Sequence, residues 1–127
     1  LTDEYCKLYI DTSFDHDEME SIFALGFKEC ISIPGVEFSL LENDKHIEDV
    51  EITSSTHPVD RARYYAEIDS DPADAIRKDD FNLSISDLVI WLRLRCDFVV
   101  AACDFEDYIV EVTGWNWTTE HPLPPAR

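Results

Sequence analysis

The stretch "RARYYAEID", residues 61–69, puts Ala62, Tyr64, Ala66 and Ile68 on one side of an extended chain. Successive side chains of a strand point to opposite faces, so strict alternation marks a half-buried strand. This strand is the clearest in the chain, and its neighbours decide the fold. Upstream, "GVEFSLLE" (35–42) repeats the pattern with Val36, Phe38 and Leu40, and "IEDVEITS" (47–54) reads as a more exposed strand. "CKLYIDTS" (6–13) alternates Leu8, Ile10 and Thr12 against Tyr9 and Asp11.

Two segments carry the helical period instead. In "DHDEMESIFALGF" (15–27), Met19, Ile22 and Phe23 share one face and acids take the other. Asp15 followed by Glu18 has the spacing of a capping box, and Gly26 suits a helix C-terminus. In "SISDLVIWLRLR" (84–95), Ile85, Leu88, Val89 and Leu92 face the core and Trp91 falls on the same pattern. Between that helix and the opening strand, "DSDPADAIRKDD" (69–80) reads as a polar connection in which Pro72 stops the strand. After the helix, "DFVVAACDF" (97–105) and "DYIVEVTG" (107–114) read as two strands of a hairpin.

The expected order is β-α-β-β-β-α-β-β. It implies an α+β fold: an antiparallel-rich sheet with two main helices on one face, a ferredoxin-like core (β-α-β-β-α-β) with extra strands. No internal repeat, low-complexity tract or linker divides the chain, so one acidic domain is expected over 1–127, with 121–127 as a loose tail.

Charge is the strongest compositional signal. Asp and Glu number 28 against 10 Lys and Arg, a net charge of −18. Such acidity alone favours disorder, but 45% hydrophobic and 12% aromatic residues supply a core. The field repels nucleic acid and anionic lipid and attracts basic partners. Too few bases exist for a nucleic-acid footprint. The longest apolar run, Phe98 to Cys103, is far too short to cross a membrane. Cys6, Cys30, Cys96 and Cys103 form no CxxC pair, and Cys30 and Cys103 sit in apolar surroundings typical of reduced thiols. The expected compartment is the cytoplasm.

Motifs for chemistry are missing. His16, His46, His57 and His121 form no metal-binding pair, and Asp15–His16–Asp17 is explained by a helix start. There is no G-x-S-x-G elbow, and three glycines cannot build a phosphate-cradling loop. The sequence therefore offers no catalytic residue, no metal ligand set and no cofactor site.

The acids cluster instead. Glu42, Asp44, Glu48, Asp49 and Glu51 form one group. Glu67, Asp69, Asp71, Asp74, Asp79 and Asp80 form a second, and Asp104, Glu106, Asp107 and Glu111 a third. A shared acidic rim follows if the fold brings them together; a solvated loop at each is the plainer alternative. Trp115 and Trp117 lie two apart and point the same way in extended chain. Either they fold back to plug the core, or one anchors an interface, where tryptophan is over-represented.

The run "WLRLRCDFVVAACDFEDYIVEVTGWNW" (91–117), in a small acidic chain without catalytic motifs, resembles immunity proteins of bacterial contact-dependent growth inhibition, a polymorphic-toxin system. The resemblance implies a cytoplasmic, non-enzymatic inhibitor that binds a cognate basic nuclease toxin domain, with a ribonuclease as the first expectation. Carboxylates would stand in for substrate phosphates against Lys and Arg. The partner-binding residues expected are Asp69, Asp71, Asp74, Asp79, Asp80, Asp104, Glu106, Asp107, Trp115 and Trp117. No direct nucleic-acid or membrane contact and no cofactor is implied. The alternative is a small α+β enzyme or ligand-binding domain with a carboxylate-lined cleft; a nucleic-acid mimic that blocks a DNA-binding protein is a third possibility.

Overall fold

A computed structural model describes residues 4–46, 57–70 and 77–125. The opening stretch forms β3 (Tyr64–Ser70), an interior strand of the sheet, preceded by a short helix α2 (Pro58–Arg61). Around it run β1 (Tyr5–Asp11), α1 (His16–Cys30), β2 (Val36–Glu42), α3 (Lys78–Arg93), β4 (Phe98–Ala102) and α4 (Glu106–Thr113). The four strands pair antiparallel in the order β2-β3-β1-β4. β3 lies between β1 and β2, so each crossover helix skips one strand, as the split β-α-β pattern requires. The α+β class, the antiparallel sheet and the ferredoxin-like strand order match the expectation.

Alternation builds the core. Cys6, Leu8 and Ile10 of β1 and Tyr64, Ala66 and Ile68 of β3 are fully buried under α1 and α3. Val99 and Ala101 of β4 complete that layer. Phe38 of β2 sits between Phe23 and Phe27 of α1, 4.8 Å from each ring centroid. Tyr64 keeps its polar end satisfied by donating its hydroxyl to the Phe14 carbonyl at 2.7 Å.

Several expectations are corrected. The capping box of Asp15 and Glu18 forms, but Gly26 does not end α1. The helix runs on to Cys30, and Gly26 is a packing position: a Cβ there would lie 2.5 Å from the Trp91 ring. α3 starts at Lys78 rather than at Ser84, because Phe81 and Asn82 extend its buried stripe. Lys78, Asp79 and Asp80 therefore belong to a helix and not to a connection. The strand expected over 47–54 lies outside the described residues.

The largest correction concerns 107–114, expected as a strand and found as α4. Only Ile109 of the helix is buried, while Val110 and Val112 face outward. Glu106, the first residue of α4, accepts the Cys103 N–H at 3.1 Å and fixes the turn before the helix, and Gly114 ends it at φ 92, a left-handed turn that suits glycine. β4 consequently has no hairpin partner, and among the described residues the sheet has four strands. Among the described residues no helix is long and apolar enough to cross a membrane.

Candidate partner-binding face

The same alternation that buries one side of the sheet presents the other. Register lines up its residues in rows across the strands. One row is Leu41, Tyr65, Tyr9 and Val100; the next is Ser39, Glu67, Lys7 and Ala102; a third is Glu37, Asp69 and Tyr5. Tyr5, Glu37, Ser39, Leu41 and Asp69 are exposed, and Lys7, Tyr9, Tyr65, Glu67 and Ala102 half-buried. Among the described residues of these rows, three tyrosines and three carboxylates thus surround Lys7, and Lys45 borders the same surface. The Lys7 ammonium lies over the rings of Tyr65 at 4.3 Å and Tyr9 at 5.1 Å, a cation–π arrangement. Burial, then the charge of Glu67, pushes the Tyr5 phenol above its ordinary pKa.

One end of this face is closed. Arg61 of α2 stacks 3.9 Å above Phe98 and reaches Asp11 at 3.4 Å. Burial raises the Asp11 carboxyl above the usual carboxylate range even though Arg61 pulls it down. Trp115 packs edge-on to Phe98 at 5.9 Å and is only 7% exposed, held by an Nε1 donation to the His121 carbonyl at 2.9 Å. The Arg93 guanidinium lies 5.1 Å from the Trp115 ring. Trp117 joins the same cluster, half-buried, with its ring 4.9 Å from His57. Both tryptophans do lie on one side of β4, and Trp115 is the core plug of the pair.

Between them, Asn116 does something the sequence did not announce. Its side-chain amide donates to the Ala101 carbonyl at 2.9 Å and accepts the Ala101 N–H at 3.0 Å. Arg93 donates to the Val99 carbonyl through Nε at 3.1 Å and through a terminal nitrogen at 3.0 Å. Side chains thereby occupy the outer edge of β4, the groups a fifth strand would have used.

The three acidic clusters separate into two ends of the sheet, and the described acids expected in the interface share one of them. β3 finishes where β1 begins and where β4 finishes, so Asp69 lies at the same end of the sheet as the loop carrying Asp104 and the first turn of α4 with Glu106 and Asp107. Lys78 reaches Asp104 at 3.7 Å and ties the first turn of α3, with exposed Asp79 and Asp80, to that loop. Glu42, the last residue of β2, and Asp44, just past it, sit at the opposite end. Asp71 and Asp74 lie outside the described residues. Sequence reading named Glu67 in an acidic cluster without placing it in the interface, and missed Glu37, Lys7 and the three tyrosines, although all occupy the non-core positions of alternating strands.

Below Trp117, a cleft of about 330 Å³ is lined by Tyr9, His57, Val100, Glu106 and Thr118 among others. The Trp117 Nε1 is buried without a hydrogen-bond partner among the described residues. Among the described residues no group of three or more His, Cys, Asp and Glu is placed to hold a metal ion. Comparison with protein-family models, with curated proteins and with solved structures gave no match to this chain.

Proposed function

We propose that this chain is an immunity-type inhibitor: it binds a basic nuclease toxin domain, a ribonuclease in the first instance, one to one in the cytoplasm and without turnover or cofactor. The observation that carries the reading is the open sheet face, where Tyr5, Tyr9 and Tyr65 alternate with Glu37, Glu67 and Asp69 and adjoin the acidic end at Asp104 and Asp107. Carboxylates pair with guanidinium and ammonium groups through charge-assisted hydrogen bonds, and tyrosine supplies flat anchoring area. The net charge of −18 steers such a partner inward and keeps nucleic acid away. In this reading Trp115, packed on Phe98, closes one end of the face, while Trp117 stays at its margin.

The test is capture on the immobilised protein from its own cells, at low and at high salt, followed by a nuclease assay. Support requires one basic protein that degrades RNA or DNA once freed and stops when one equivalent of inhibitor returns. A captured protein with no nuclease activity, or none captured from cells shown to make the toxin, overturns the reading.

A second reading, a small ligand held in the cleft beside Trp117, is favoured by one observation, the Trp117 Nε1 without a partner among the described residues. A thermal-shift screen separates it from the first, since a ligand that binds only the native state raises the unfolding midpoint with concentration.

A further inference from the structure

Cys6 and Cys103 come from strands that are neighbours in the sheet. The β1–β4 ladder runs Ile10↔Val99, Tyr9↔Val100, Leu8↔Ala101 and Lys7↔Ala102, and Cys6 and Cys103 are the next residues beyond its last pair, Cys103 lying one residue past β4. The ladder also fixes which kind of pair this is. Ala101 spends both backbone groups on Asn116, away from β1, so Leu8↔Ala101 is a non-hydrogen-bonded pair. Alternation makes Lys7↔Ala102 a hydrogen-bonded pair and the cysteine pair non-hydrogen-bonded again. The Cys103 N–H confirms the phase by turning outward to Glu106. Non-hydrogen-bonded pairs bring their Cα atoms to about 4.5 Å, inside the window of roughly 4.4–6.8 Å that a disulfide spans.

The two thiols are also chemically unequal. Both are free, both pack on the same core, and the Cys6 thiol donates to the Lys7 carbonyl at 3.7 Å. Cys6 has no exposed surface, whereas Cys103 is half-buried at the end of its strand. The neighbouring Cys103, then burial, raises the Cys6 thiol well above its ordinary pKa, whereas the neighbouring Cys6 lowers that of Cys103, with the Phe105 backbone assisting. A reactive, reachable thiol beside a sheltered one is the arrangement of an attacking and a resolving cysteine.

We propose that Cys6 and Cys103 form a reversible dithiol–disulfide site whose oxidant is a small-molecule disulfide such as glutathione disulfide. The Cys103 thiolate attacks one sulfur of the oxidant, forming a mixed disulfide and releasing the first small thiolate. The Cys6 sulfur then attacks Cys103, the mixed bond breaks, and the second small thiol leaves with the Cys6 proton. Two protein thiols are oxidised and one small disulfide is reduced to two thiols. The new bond ties the start of β1 to the loop that carries Asp104 and leads into the first turn of α4 with Glu106 and Asp107, so redox state reaches the acidic end of the sheet. This inference does not depend on the identity of any partner.

The experiment treats the native, fully reduced protein with excess glutathione disulfide and follows intact mass and, after proteolysis, the cross-linked peptides. The expected product is two hydrogens lighter, joins Cys6 to Cys103 and reverts with dithiothreitol. It forms equally in a Cys30→Ser/Cys96→Ser double variant, which keeps the pair and removes the other thiols. Cys6→Ser is expected to stop at glutathione on Cys103, and Cys103→Ser to gain no intramolecular bond. Glutathione retained on Cys103 of the wild-type protein, a bond from Cys103 to Cys96, or no reaction while Cys103 still alkylates would each overturn the proposal. Should a single variant fail to fold, wild type and the double variant decide the matter alone.

Discussion

The carboxamide of Asn116 makes with Ala101 both of the hydrogen bonds that a neighbouring strand would make, at 2.9 and 3.0 Å. One side chain closes a sheet edge. Asn116→Ala should therefore cost about 2–3 kcal/mol, because two buried backbone groups lose their partners. Urea denaturation measures it. Asn116→Asp should be no milder at neutral pH, since a carboxylate then faces the Ala101 carbonyl; a loss under about 0.5 kcal/mol for both variants would show that water replaces the amide freely.

At Gly26, helix propensity and packing oppose each other. Alanine gains about 1 kcal/mol over glycine in a helix interior, but its methyl would meet the Trp91 ring at 2.5 Å. Overpacking of that kind costs about 1–3 kcal/mol, so Gly26→Ala should be net destabilising and should shift tryptophan emission. Adding Trp91→Leu should restore stability, which a thermal melt of the double variant would read.

Trp115 and Trp117 should respond differently to truncation. Trp115→Ala is expected to cost about 3–5 kcal/mol, as for other buried aromatic residues, since Phe98 and Arg93 both lose their stacking partner. Trp117→Phe is the informative change at the second site. It removes a buried N–H that has no acceptor among the described residues, so stability should stay within about 1 kcal/mol of wild type or rise. A large loss would mean that the indole nitrogen is bonded after all.

Alkaline pH should expose the sheltered Cys96. Burial raises its thiol from 9.0 to about 11. The unfolded chain loses this proton first, so the native state is favoured below pH 9 and that advantage disappears as pH rises through 11. Cys96→Ala should flatten the fall in stability across this window relative to wild type. Equal slopes in denaturant melts across that pH range would refute the assignment.

If the open face receives a basic partner, Glu37→Lys, Glu67→Lys and Asp69→Lys together should slow association at least about tenfold at low salt. The thermal midpoint should hardly move, since Glu37 and Asp69 are exposed and Glu67 half-buried on the sheet's uncovered side. Stopped-flow mixing with the captured partner reads the rate. An unchanged rate with intact folding would move the interface elsewhere.

The core was legible because burial leaves a period. Leu8, Ile10, Tyr64, Ala66 and Ile68 repeat every second residue, and the structure buries each fully. α4 was not legible, because Ile109, Val110 and Val112 are β-branched and crowd four residues in a strand-like way. Packing of Ile109 on the core overrides that preference, and the real signals were Glu106 and Gly114 at its two ends. The open face was half legible. Alternation shows that Tyr65 and Glu67 leave the core, but only the strand order puts Tyr65 beside Tyr9 and Glu67 beside Lys7. Sequence period says which way a side chain points; it does not say which strand lies next door.

That strand order also governs how the chain assembles. β1 precedes both of its partners, and its pairings Ile10↔Tyr64 and Ile10↔Val99 wait on segments far along the chain. During synthesis Leu8 and Ile10 stay without a sheet until β3 has emerged, and the second flank stays open until β4 follows. Non-local pairing of this sort places folding toward the slower, milliseconds-to-seconds regime of β-rich domains. Over that interval an unpaired apolar strand is a hazard for misassociation. The dense negative charge, whatever it meets in the finished protein, keeps nascent copies of the same chain apart.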